Sequence, residues 1–185
     1  GGMSAPATGS DGNGYRLLTA FAHELAEPVP SIVQLVTDTG FVKPLSGNKI
    51  RGTVSLYING ALVRTENGEI LFTDYGLSGP PVLQLSGYVS RALDDDKKCR
   101  RSSDISILLD FLPNHSPDDV TAILRNRRNI FPGRNLEEYL TGLFQRRLAY
   151  GLMKSSIKKP LSAIVANLTD NEIAALAQSC KALRI

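Results

Sequence analysis

The chain has no tryptophan, and its 185 residues include only two cysteines, two histidines and two methionines. Cys99 and Cys180 form no C-x-x-C pair, and with His23 and His115 as the only imidazoles no spacing assembles a zinc site, so no metal is expected. Cys180 falls on the apolar stripe of a helical pattern and reads as a small buried hydrophobe, with a Cys–His pair brought together by folding as the minor alternative. No apolar run approaches the roughly 18–20 residues of a membrane helix. The opening GGMSAPATGSDG also lacks the charged and apolar regions of a signal peptide, so a cytoplasmic protein without membrane contact is expected.

What is present is the composition of a soluble globular domain, 42% hydrophobic and 21% charged, long enough to bury a real core as one large domain or two small ones. The net charge of +3 hides an asymmetry: residues 1–96 hold 6 basic and 10 acidic side chains, residues 97–185 hold 15 and 8. RNRRNIFPGR, FQRRLAYG and KSSIKKP could meet an anion, although solvated helix faces account for most such clusters.

The pattern divides the chain. Tyr15, Leu18, Ala22 and Leu25 follow helical spacing, Pro28 and Pro30 force an extended exit, and SIVQLVT reads as a strand followed by a loop over GFVKPLSGN. In IRGTVSLYIN, Ile50, Gly52, Val54, Leu56 and Ile58 alternate with polar residues, which predicts one buried face. Asn59-Gly60 suits a type I′ turn and Asn67-Gly68 repeats the signal, so 50–73 reads as a meander. DISILLDFL supplies a further strand, stopped by Pro113, and DDDKKCRR reads as an exposed loop. About five strands result, which suits a small barrel or sandwich.

From Ser116 onward the period is helical. Ser116 caps, Pro117 takes the first helical position, and Asp118 and Asp119 favour the dipole. Asn135 with Glu138 resembles a capping box ahead of Leu136, Tyr139, Leu140, Leu143 and Phe144, and a third helix contains Leu148, Leu152 and Met153. The last helix is capped by Thr169 and Glu172, with Leu168 placed to staple onto Ile173. SSIKKPLSAIVANL reads either as a linker with a short helix or as one broken helix. The expected fold class is α+β: a small antiparallel β-barrel followed by an all-α helical subdomain, without the β-α-β alternation of a nucleotide-binding sheet.

Two glycine-rich segments are candidate sites. GSDGNGY places Gly9, Gly12 and Gly14 as a reversed dinucleotide fingerprint with no preceding strand, so a flexible turn is the better reading. FTDYGLSGPPVLQLSGY joins a strand to a helix, with Ser78 as the cap, Pro80 at the first helical position and Val82, Leu85, Val89 and Ala92 as the stripe. Pro80 and Pro81 remove amide donors, which makes a poor phosphate cradle. Gly76, Ser78 and Gly79 could admit a flat, mostly uncharged ligand, or serve a structural tight turn; the residues leave these even. Asp74, Tyr75 and His115 are ionisable loop residues in no triad-like arrangement.

Together GGMSAPATGSDGNGY, EPVPSIVQLV, GEILFTDYGLSGPPVLQLS and ILLDFLP resemble a bacterial family, the BaiN-like or aminoacetone-oxidase-like FAD-dependent NAD(P)H oxidoreductases. The most specific match is the seventeen residues Gly68–Gln84. The resemblance implies an insert domain, β-barrel then helices, interrupting a two-dinucleotide-binding-type FAD domain. The FAD-gripping segments are then expected before Gly1 and after Ile185, and the chain is expected to be an excised insert that is inactive alone. It implies boundaries at 1–30 for a segment from the edge of the FAD-binding domain, 31–113 for the barrel and 114–185 for the helices.

By resemblance Gly1, Gly2, Gly76, Ser78, Gly79 and Pro80 are cofactor-side residues, and Thr73, Asp74 and Tyr75 are substrate-pocket candidates. The implied partners are the flanking FAD-binding domain, a small-molecule substrate and NAD(P)H as reductant, and no tight FAD binding by this chain alone is expected. The family commonly has a His where Tyr75 stands and an Ala where Pro81 stands, so a role resting on that imidazole is not carried over. The competing reading is a small barrel with a basic helical module that binds nucleic acid or a protein, against which stands the 6% aromatic content. A hydrolase lacks any arranged nucleophile and base.

Overall fold

Ten residues of alternating polarity, Lys49–Ile58, turn at Asn59-Gly60 and run back as Ala61–Phe72, and the rest of the molecule is laid against this hairpin. The computed structural model describes residues 2–99 and 103–185. In chain order these give α1 (Asn13–Ala20), β1 (Leu35–Val36), α2 (Thr39–Val42), β2 (Lys49–Ile58), β3 (Ala61–Phe72), β4 (Gly76–Ser78) and α3 (Pro80–Cys99). There follow β5 (Ile105–Asp110), α4 (Pro117–Ile130), α5 (Arg146–Ser156), α6 (Asp170–Lys181) and β6 (Leu183–Arg184), with 3-10 turns at Pro6–Thr8, Lys43–Leu45, Leu136–Glu138 and Val165–Asn167. Every strand pairing is antiparallel, in the order β1-β4-β3-β2-β5-β6, and the sheet curls into a half-barrel.

The inward face carries Val54, Leu56, Ile70, Phe72, Ile107 and Leu109, onto which α3 sets Val82 and Leu85. The helical half adds Val120, Leu124, Leu148, Leu152, Ile173 and Leu176 to the same core. Asn59 (φ 53°) and Gly60 (φ 78°) take the left-handed conformations a type I′ hairpin requires. The C-terminal end of the helical half is tied to the sheet twice: Phe111 N donates to Cys180 O at 2.9 Å, and β6 extends the edge at β5.

Several elements differ from the sequence reading. Asn67-Gly68 is not a turn but the middle of β3, where Gly68 pairs with Gly52. A Cβ at Gly68 would lie 3.1 Å from Pro81 Cδ, so the glycine there admits α3. SIVQLVT contributes only two strand residues. The loop over GFVKPLSGN contains α2, started by Asp38, whose carboxylate accepts from Gly40 N at 2.8 Å. DDDKKC continues α3 through Cys99 and is not a loop, while Arg100–Ser102 lie outside the described residues.

Asn135 makes no capping bond and only a 3-10 turn follows it: Leu136 N and Glu137 N donate to Ala163 O and Leu161 O at 2.9 and 3.1 Å, and Glu138 N donates to Asn135 O at 3.0 Å. Helix α1 ends at Ala20 and buries none of its residues. The ambiguous SSIKKPLSAIVANL resolves into the end of α5, an extended run and one 3-10 turn.

Candidate functional site

After Phe72 the chain turns through Thr73–Tyr75 into β4. Both the amide and the hydroxyl of Thr73 donate to Gly76 O, at 2.9 and 3.0 Å. Tyr75 O accepts from Thr37 N at 3.1 Å and its phenol donates to Gln34 Oε1. Gly76 then pairs with Val36 and Leu77 with Leu35, so β1 covers the turn from one side. Leu83 N donates to Gly79 O at 3.0 Å, which makes Gly79, and not Ser78, the residue that accepts the first bond of α3.

The small residues have an internal explanation. A Cβ at Gly76 would overlap Leu35 O, and one at Gly79 (φ 97°) would overlap Glu69 O. Gly76 and Ser78 are buried, Gly76 beside β1 and Ser78 beside β3, whereas Asp74, Tyr75 (46% exposed) and Pro80 face solvent and Thr73 is half-buried. Gly2 is exposed and its carbonyl accepts from Gly12 N at 3.0 Å; Gly1 lies outside the described residues. With Gly76 and Gly79 packed against Leu35 O and Glu69 O and two prolines opening α3, this segment presents few free amides to a ligand. What the segment presents outward is a short polar turn with one phenol and one carboxylate.

His115 is not part of this turn. It lines a separate groove of about 910 Å³ with Arg51, Thr53, Asn67 and Asp110. Asp110 there is engaged by Lys181, whose ammonium also donates to Leu112 O and His115 O. Cys180 and Tyr139 have their pKa values pushed up to about 12 by burial, which leaves both neutral and unsuited to acid or base work. No group of three or more metal-ligating side chains occurs among the described residues.

A second concavity, about 670 Å³, lies between α2 and α5 and brings Phe41 and Pro44 beside Arg146, Arg147, Tyr150 and Lys154. The sequence flagged FQRRLAYG as an anion-facing stretch. It gave no sign that Phe41, more than a hundred residues earlier, would pack against this stretch and line the groove with it.

The family model described as "HI0933-like protein barrel and H2TH domain" matches residues 29–185. The chain belongs to that HI0933-like family. Its barrel is the curled sheet, and the matched region takes in the turn, both grooves and all of the helical half. Among curated relatives it is 29% identical over 156 residues to the 3-dehydro-bile acid delta(4,6)-reductase of Clostridium scindens, covering 84% of this chain and 37% of that protein. It is 26% identical to the ribosomal RNA dihydrouridine synthase of Haemophilus influenzae, covering 92% of this chain and 40% of the relative. To the Escherichia coli protein of the same name it is 27% identical, covering 93% and 39%. This HI0933-like chain therefore spans about two fifths of the length of the relatives it matches.

Proposed function

We propose that the chain is the insert of a longer FAD-dependent oxidoreductase that saturates a carbon–carbon double bond conjugated with a carbonyl. The observation that carries the reading is the exposed turn Thr73–Tyr75, held from behind by Gly76, Ser78 and Gly79 within the segment that most resembles flavin enzymes. In this reading Asp74 and Tyr75 face the substrate cleft. The buried small residues, with Pro80, act on the flavin by fixing where that turn stands. Gly1 and Gly2 remain the candidates at the flavin side.

The relatives' names support the reaction class. A 3-oxo acid unsaturated at positions 4 and 6 and the uracil ring of uridine both present an alkene conjugated with a carbonyl, and each enzyme is named for its saturation or its saturated product. NAD(P)H is the reductant this reading requires. Helix α1 supports a flanking domain: Leu17 (66% exposed) on it and Phe21 (78%) just past its end are uncovered, and apolar side chains along a helix with no buried face call for a partner surface. The division at 1–30, 31–113 and 114–185 belongs to the same proposal, as does a cytoplasmic setting; no helix among the described residues is long and apolar enough to cross a membrane.

The test is a pair of visible spectra after FAD is supplied, one of the full-length parent and one of this chain. Flavin bands in the parent alone, with NAD(P)H oxidation that depends on a conjugated enone, are the expected result. A parent that stays colourless ends the flavoprotein reading.

A further inference from the structure

The groove between α2 and α5 is not used by the proposal above. On α5, Arg146, Tyr150 and Lys154 recur every four residues, and Arg147 and Gly151 form the row beside them, so all five share one face of the helix. Gly151 is where α2 comes closest: a Cβ there would lie 3.2 Å from Phe41 Cε2. The floor is thus a half-buried phenylalanine ring, and Tyr150, 47% exposed, stands beside it.

The cations of this groove are mostly unspent. Lys154 has no hydrogen-bond or ion-pair partner among the described residues, and Arg147 reaches only Ser46 O, at the 3.5 Å limit of a hydrogen bond. Arg146 pairs with Glu137 at 2.7 Å, and Glu137 is the only carboxylate on the lining. Three cations against one carboxylate, beside the exposed Tyr150 ring and the half-buried Phe41 ring, match a ligand that alternates negative charge with flat rings. An acidic peptide would satisfy the cations but leave the rings idle, and a paired duplex would hide its base faces.

We propose that this groove binds single-stranded nucleic acid, with a base stacked on Tyr150 and backbone phosphates passing Arg147 and Lys154. The inference stands on the groove alone and does not depend on a flavin, so its failure leaves the oxidoreductase reading untouched.

The experiment is fluorescence polarisation of this chain with labelled 12-residue oligo(rU) and oligo(dT) between 50 and 200 mM salt. Saturable binding that weakens with salt is expected; a preference for oligo(rU) identifies RNA as the source, and equal binding identifies single strands of either kind. Tyr150→Ala should weaken binding roughly 5- to 100-fold while Tyr150→Phe retains it. Arg147→Gln with Lys154→Gln should flatten the logarithmic salt slope by about 1.4, two phosphates at ~0.7 each. All of these positions lie on the groove surface, and an unchanged melting temperature separates lost binding from lost folding. The proposal is overturned by any of three results: no saturable binding at 50 mM salt, undiminished binding by the double variant, or equal competition by a duplex hairpin or an acidic polypeptide.

Discussion

At the scale of single residues, glycine is the informative type here, and its reasons differ from place to place. Gly47 (φ 80°) has nothing within 4 Å of where a Cβ would stand, so only its backbone conformation demands glycine. Gly79 has a positive φ as well, and its Cβ would overlap the Glu69 carbonyl. Gly47→Ala should therefore cost about 1 kcal/mol, and Gly79→Ala about 3 kcal/mol or more, since strand β3 cannot retreat without leaving β2. Urea denaturation of the two variants checks the order; equal losses would mean that packing at Gly79 is slack. The same contacts explain why Gly76 and Gly79 stand evenly balanced between ligand and tight turn in the sequence. Close approach was legible, but the partner was not, because Leu35 O and Glu69 O come from residues that only the fold brings near.

At the scale of elements, two capping boxes formed where the local sequence wrote them, and a third look-alike did not. Ser116 with Asp119 starts α4 and Thr169 with Glu172 starts α6, each with both reciprocal bonds present. Asn135 with Glu138 fails because Glu137 N donates to Leu161 O and Glu138 N to Asn135 O, which leaves no amide for the Asn135 side chain. In the working cap of α6, the Lys159 ammonium and then the Thr169 amide hold the Glu172 carboxyl below its ordinary range. A carboxylate depressed in the folded state contributes stability that is present above its unfolded value, ~4.3, and is lost as pH falls through the folded value. Thr169→Ala should cost about 1 kcal/mol at pH 7. Glu172→Gln should be destabilised against the parent sequence at pH 7 and progressively less so below about pH 4. Urea melts at pH 7, 4 and 3 measure it, and a gap that widens on acidification would contradict the assignment.

At the scale of the whole molecule, the sheet and the helices share one core. Lys181 holds Asp110, Leu112 and His115 at distances of 2.6 to 2.8 Å, and Ile185 exchanges two 2.9 Å backbone bonds with Ile107. Far-ultraviolet dichroism and tyrosine fluorescence should thus report a single coincident unfolding transition. Two separated transitions would show that the barrel and the helical half fold independently despite those ties.

The sequence by itself determined the helical character of the chain after Ser116, the buried faces of β2, β5 and α6, the hairpin at Asn59-Gly60 and two of the helix caps. Each depends on periodicity or on neighbours within a few residues. Its resemblance also pointed to the BaiN-like flavin oxidoreductases, and the family model that matches is the HI0933-like one. Only the tertiary structure decided that Asn67-Gly68 runs straight, that β6 returns to the sheet edge, that Gly76 and Gly79 face their own chain, and that Phe41 joins α5 across a groove. Those outcomes depend on atoms distant in sequence competing for the same amide or the same space, and no local pattern records which competitor arrives.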